Sequence, residues 1–221
     1  TDIARGSARL LGIELSPNFR APYAARGPSD FWNRWHISLS SWIRDYLYIP
    51  LGGNRGSPAR TVRNLYASML LAGLWHGAAW TFVLWGAYHA TLLAAYRVLP
   101  PLRALEQARG PARVVAIALM FVLTLLGWLI FRAPDAAFVG RALASLVGTE
   151  PVWALDWTGP AKWVALHVVP LLVLQWVSRR AADESALDHR GWPLRTVDYA
   201  VMFLLVASSS APDQEFIYFQ F

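Results

Sequence analysis

The longest charge-free run in the chain spans residues 64 to 96, which contain no Asp, Glu, Lys or Arg. As one helix it would reach about 50 Å at 1.5 Å per residue, too long for a hydrocarbon core of about 30 Å. A bent pair or hairpin of helices is therefore predicted. A second apolar run, "VVAIALMFVLTLLGWLIF" over 114–131, is long enough for one span. Residues 163–178 form a shorter candidate that contains Pro170, tolerable where neighbouring helices satisfy the freed carbonyl, and residues 199–211 form a last, marginal one.

Two stretches alternate differently. Over 31–48, placing residues at 100° intervals puts Arg34, Ser38, Ser41 and Asp45 on a polar stripe, with Trp32, Leu39 and Ile43 opposite and His36 on the apolar side. The pattern predicts one amphipathic helix about 27 Å long. Ser29 or Asp30 is its expected N-cap, and Pro50 with Gly52 and Gly53 its stop. A helix of this kind lies in the membrane interface or packs inside a bundle. The segment "DAAFVGRALASLVG" over 135–148 reads as a second, short surface helix.

Composition agrees with a membrane protein. Of 221 residues 56% are hydrophobic and only 15% charged, and the twelve Trp and eight Tyr suit the boundary between hydrocarbon and headgroups. Cysteine is absent, which removes disulfides, thiolate metal sites and Cys nucleophiles. Eleven of the twenty Lys and Arg behind the net charge of +6 fall in three segments flanking the apolar runs: Arg55, Arg60 and Arg63; Arg97, Arg103, Arg109 and Arg113; Arg179, Arg180, Arg190 and Arg195. That distribution is a topology signal and argues against nucleic acid as a partner. With these segments on the cytoplasmic side, residues 132–162 and the C-terminal "PDQEFIYFQF" are expected outside. The start "TDIARGSARLLG" lacks Met and the pattern of a signal peptide, so the chain reads as the C-terminal part of something longer. No internal repeat or low-complexity linker divides it.

Histidine is the chemistry-bearing residue in apolar surroundings. His36 lies on the apolar side of the 31–48 pattern, and His76 lies in "GLWHGAAW" between Gly73 and Gly77. Small residues there let another helix approach closely, or leave room for a ligand beside the ring. Each imidazole can be read as structural and hydrogen-bonded, or as functional, since polar groups in a membrane mark pathways and proton relays. His89 falls about 220° around a continuous helix from His76, so it is read as structural or interfacial, and His167 and His189 as structural. Neither His36 nor His76 has the partners of a metal site. Ser38, Ser40 and Ser41 follow an ordinary helical pattern without a nucleophile elbow. Gly52, Gly53 and Gly56 lack the spacing of a phosphate loop. What remains is an imidazole acting as general base.

The ordered pair "DFWNRWHISLSSWIRDYLYIPLGGNR" and "RNLYASMLLAGLWHGAAWTFVLWGAYH", with "FRAPD" and the terminal "FIYFQF", resembles the membrane-bound O-acyltransferase (MBOAT) family. More narrowly it resembles the bacterial branch of alginate O-acetylation and teichoic acid D-alanyl transfer. The resemblance implies an all-α, polytopic membrane helical bundle with interfacial amphipathic helices. Because family members are considerably longer, residues 1–221 would be the C-terminal part of a single MBOAT-type domain. It further implies transfer of an acyl group, commonly acetyl, to hydroxyls of an exopolysaccharide or another cell-surface glycan. His76, from the "LWHG" motif, would stand at the centre of a membrane tunnel, with His36, from "RWHISLS", as the second active residue. Asn33, Arg34 and Arg44 would help to dock the donor. No bound cofactor or metal is expected: acetyl-CoA or an acyl carrier protein would serve as donor substrate from the cytoplasmic side, with periplasmic or extracellular O-acetylation proteins as partners. The location implied is the bacterial cytoplasmic membrane, with multiple passes through the bilayer. A transporter or export scaffold without catalytic activity is the alternative reading.

Overall fold

The computed structural model describes residues 2–146 together with 169, 191–193, 196, 200 and 203. The chain divides into two compact units, residues 1–147 and 148–221. The spans predicted over 163–178 and 199–211, apart from isolated helical positions, lie outside the described residues. So do His167, His189, the third basic segment and the terminal "FIYFQF".

The first unit is helical, with no strand among the described residues. Helix α1 covers Asp2–Leu10. A short 3-10 turn, Pro22–Ala24, leads to α2 (Pro28–Trp32) and α3 (Ile37–Ile43), which continues into one π-helical turn, Arg44–Tyr48. Then come α4 (Pro58–Trp75), α5 (Trp80–Val98), α6 (Pro100–Glu106), α7 (Pro111–Arg132) and α8 (Ala136–Leu146).

The charge-free run folds as the predicted hairpin. α4 and α5 pack along each other as antiparallel legs, and two glycines permit the contact. A Cβ at Gly73 would collide with the carbonyl oxygen of Phe82, and one at Gly86 with that of Met69. Backbones this close exclude any side chain at the crossing. Of the two uses open to Gly73 in the sequence, helix approach is the one realised. α4 begins on Pro58 at its first turn, with the Ser57 hydroxyl accepting from the Arg60 N–H at 3.3 Å, a serine N-cap of the usual kind.

α7 runs back antiparallel to α5. Its pairings descend in register: Trp85 packs in one cluster with Ile130 and Ala133, and the Tyr88 hydroxyl donates to the Leu123 carbonyl at 2.7 Å. Gly127 faces His89, where a Cβ would press on the imidazole. Among the described residues α7 is the one helix long and apolar enough to cross a membrane, with mean hydropathy 2.8. It covers the predicted 114–131 span. α8 likewise falls on the short surface helix expected after it.

The predicted helix over 31–48 is not continuous. It breaks at residues 33–36, and His36 takes a left-handed conformation, φ 43° and ψ 55°. Helix α2 starts on Pro28 after an extended Gly27, earlier than the expected caps. Asp30 instead pairs with Arg34, one turn on, at 2.6 Å. The stop falls where expected, in a turn that uses positive φ at Gly52 (111°) and Gly53 (53°).

Candidate active site

His76 follows directly on α4. Its N–H and that of Gly77 donate to the carbonyls of Gly73 and Leu74, at 3.0 and 3.1 Å, tightening the last turn. Gly77 then takes φ 147°, and Ala79 opens α5 in an extended conformation. Residues 76–79 are thus the hairpin turn. The imidazole lies beside Phe131, in the last turn of α7, with ring centroids 5.0 Å apart. Trp85 stands edge-on at 5.3 Å and Phe82 at 6.0 Å.

His36 is held from a distance in sequence. The Ile37 N–H donates to the Asn18 carbonyl at 2.9 Å, while the Ser38 N–H and hydroxyl donate to the Asn18 side-chain oxygen at 2.9 and 2.7 Å. The Arg20 N–H donates to the Arg34 carbonyl at 2.9 Å. Residues 18–20 therefore form a strap across 34–38, and Asn18 does the work of an N-cap for α3. Left-handed backbone costs a non-glycine residue about 1–3 kcal/mol, so it persists where surrounding bonds over-determine it. Phe19, within the strap, lies 6.1 Å from the His36 ring.

The two histidines lie forty residues apart in sequence. A continuous set of ring contacts joins them. Phe19 meets Trp35 at 4.7 Å, Trp35 meets Trp128 at 4.7 Å, and Trp128 meets Phe131 at 6.2 Å beside His76. A branch runs through Phe31, stacked on Trp35 and on His89. His89 is 2% exposed and packed among Phe31, Trp32 and Trp85. It is an element of the core, as read from the sequence, although the helical-phase argument does not apply across the broken backbone at 76–79.

Within this apolar cluster several nitrogens are buried without a hydrogen-bond partner among the described residues: Nε1 of Trp32, Trp85 and Trp128, and Nδ1 of His36 and His89. Unpaired buried polar groups are costly, so this concentration leaves donors for water, a ligand or a further part of the chain to meet. The indoles can only donate, so what they suit is an acceptor such as a carbonyl or hydroxyl oxygen. The reading of the tryptophans from composition, as residues of the boundary between hydrocarbon and headgroups, did not foresee this. A signal was available in principle, since apolar segments this rich in tryptophan must place many N–H groups.

Among the described residues, no side-chain hydrogen bond ties the three proposed docking residues to the rings of this cluster. Arg34 is engaged with Asp30 and donates to the Arg20 carbonyl at 3.4 Å. Arg44 clasps the adjacent Asp45 through two bonds of 2.8 and 3.1 Å in an exposed pair. That hydrogen bonding holds the Asp45 carboxyl below its ordinary range. Asn33 is an exposed residue at the C-terminus of α2.

Residues 2–133 match the sequence profile of MBOAT, the membrane-bound O-acyltransferase family. The chain is 42% identical over 173 residues to a probable alginate O-acetylase AlgI of Azotobacter vinelandii, covering 78% of this chain and 34% of the relative. A peptidoglycan O-acetyltransferase of Helicobacter pylori is 38% identical over 151 residues, covering 68% and 28%. A teichoic acid D-alanyltransferase of Bacillus subtilis is 36% identical over 103 residues, covering 43% and 26%. The chain spans about a third of the length of the relatives it matches over most of its own. Since the matched region runs from α1 through the whole of α7 and contains both histidines, the chain belongs to the membrane-bound O-acyltransferase family.

Proposed function

We propose that the chain carries the acyl-transfer centre of a multi-pass O-acyltransferase of the bacterial cytoplasmic membrane, which passes an acetyl group toward hydroxyls of an alginate-like or other cell-surface polysaccharide. The observation that carries the reading is the set of ring contacts that links His36 to His76, from remote segments, through a cluster whose buried indole N–H groups have no partner among the described residues. Family membership and the names of the relatives supply the reaction class and the kind of acceptor.

His76 acts as the general base. The acceptor hydroxyl attacks the carbonyl carbon of the donor thioester while its proton passes to the imidazole. The tetrahedral intermediate then expels the thiolate, which recovers the proton, leaving an ester and a free thiol. Positioned general-base catalysis contributes roughly 10²- to 10⁴-fold. His36 orients a substrate or donates to the developing oxyanion, assisted by the unpaired indoles, a role that matters most where water is excluded. The donor, acetyl-CoA or an acyl carrier protein, approaches from the cytoplasmic side. Asn33, Arg34 and Arg44 contact it, the two arginines exchanging Asp30 and Asp45 for its anionic groups. Partner proteins outside the membrane complete the transfer to the glycan.

The test is labelled-acetyl transfer by the intact protein and its His76→Gln variant in membranes. The variant is expected to lose roughly 10²- to 10⁴-fold in rate with unchanged insertion. Full activity in the variant would remove His76 from the mechanism, and inactive wild-type protein that moves a solute would favour the transporter reading.

A further inference from the structure

A cavity of about 540 Å³ lies at the opposite end of the hairpin from His76, between the start of α4, the end of α5 and α6. The length of α4, 18 residues, puts it about 27 Å from the turn, so it is separate from the histidine cluster. Arg97 and Arg103 line it, together with the Tyr96 side chain, which is 3% exposed and whose hydroxyl is buried without a partner among the described residues. Neither arginine has an ion pair among the described residues. Glu106 also lines the cavity; its carboxylate lies against Gly27 and accepts from the Asp30 N–H at 3.4 Å. Leu65, Leu93 and Val98 give the cavity an apolar side.

We propose that this cavity binds the phosphate headgroup of an anionic glycerophospholipid. Two guanidinium groups match a phosphate bidentately, and a buried tyrosine hydroxyl without an acceptor supplies a further donor. The wall of Leu65, Leu93 and Val98 accommodates the glycerol and the first carbons of the chains. Arg55, Arg60 and Arg63 at the start of α4 add to the positive potential that draws anionic lipid to a juxtamembrane basic pocket. A lipid is favoured over a soluble phosphate because the cavity combines charge with an apolar wall in a protein of a membrane family.

The experiment places the intact protein in nanodiscs of phosphatidylcholine, with or without phosphatidylglycerol, and measures the lipid retained after mild re-extraction together with the thermal midpoint. Phosphatidylglycerol should be retained in preference, and Arg97→Gln with Arg103→Gln should reduce that preference about tenfold, or about 1.4 kcal/mol. Arg97→Lys with Arg103→Lys should restore part of it, and Tyr96→Phe alone should weaken it without removing the charge. Equal retention of the two lipids by the wild type, or an undiminished preference in the Gln variant, would overturn the proposal. So would glycerol phosphate or inorganic phosphate in detergent stabilising the protein as fully as the lipid, because the site would then belong to a soluble anion. Lipid retention does not depend on acyl transfer, so the outcome stands apart from that of the His76 assay.

Discussion

His36 shows how a single residue can depend on one that is remote in sequence. Its left-handed backbone is fixed by Asn18, which receives three donors from Ile37 and Ser38. Asn18→Ala removes the two bonds made to its side chain, and loss of a helix cap costs about 1 kcal/mol. A lower thermal midpoint is expected, and, if His36 serves the reaction, a larger proportional fall in acyl transfer. Unchanged stability on calorimetry would show that the strap does not cap α3. The Arg44–Asp45 pair gives a pH-dependent counterpart. Because the Asp45 carboxyl is held below its ordinary range, its contribution to stability is present above the unfolded carboxylate value, near 4. It is lost as pH falls through the lower folded value. Arg44→Gln should return the Asp45 titration midpoint upward toward the ordinary range, as read by NMR; the exposure of both groups keeps the stability effect small.

At the scale of elements, the hairpin depends on backbone contact. Gly86→Ala sets a methyl against the Met69 carbonyl, and overpacking of this kind costs about 1–3 kcal/mol. The variant should melt earlier and expose the α4–α5 seam to hydrogen exchange, whereas Gly140→Ala, where a Cβ meets nothing within 4 Å, should not. The hairpin and α7 were legible in the sequence because length and the absence of charge constrain a membrane helix strongly. The break in the 31–48 stretch was not. Its periodicity is sound, and what interrupts it is a hydrogen-bonded strap some twenty residues upstream, which local pattern cannot register. Of the candidate site, His36 and His76 were visible as imidazoles in apolar surroundings and as motif residues. The indole nitrogens around them were not, because whether a tryptophan N–H finds a partner is a property of packing alone.

At the scale of the first unit, the basic segments and the His76 turn lie at opposite ends of the α4–α5 hairpin. Arg55, Arg60 and Arg63 precede or open α4, and Arg97 and Arg103 close α5 and occupy α6, so antiparallel packing gathers them at one end, with the histidine turn at the other. The absence of cysteine makes this readily testable with single introduced thiols. Cysteines replacing Arg55 and Arg109 should react with an impermeant reagent from one side of sealed membranes, and a cysteine replacing Ala78 from the other. Labelling of all three from a single side would rule out a spanning hairpin.

The position of His76 at the very end of α4 has an electrostatic consequence. An α-helix carries the equivalent of about half a negative charge at its C-terminus, where the last carbonyls lack intrahelical donors. In the proton transfer proposed here, the positive charge that appears on the ring is formed against that partial charge. In that proposed step the backbone of α4 would supply a fixed counter-charge, worth about 0.3–1 kcal/mol at an exposed site and up to about 2 where partly buried, at the moment the imidazole needs it.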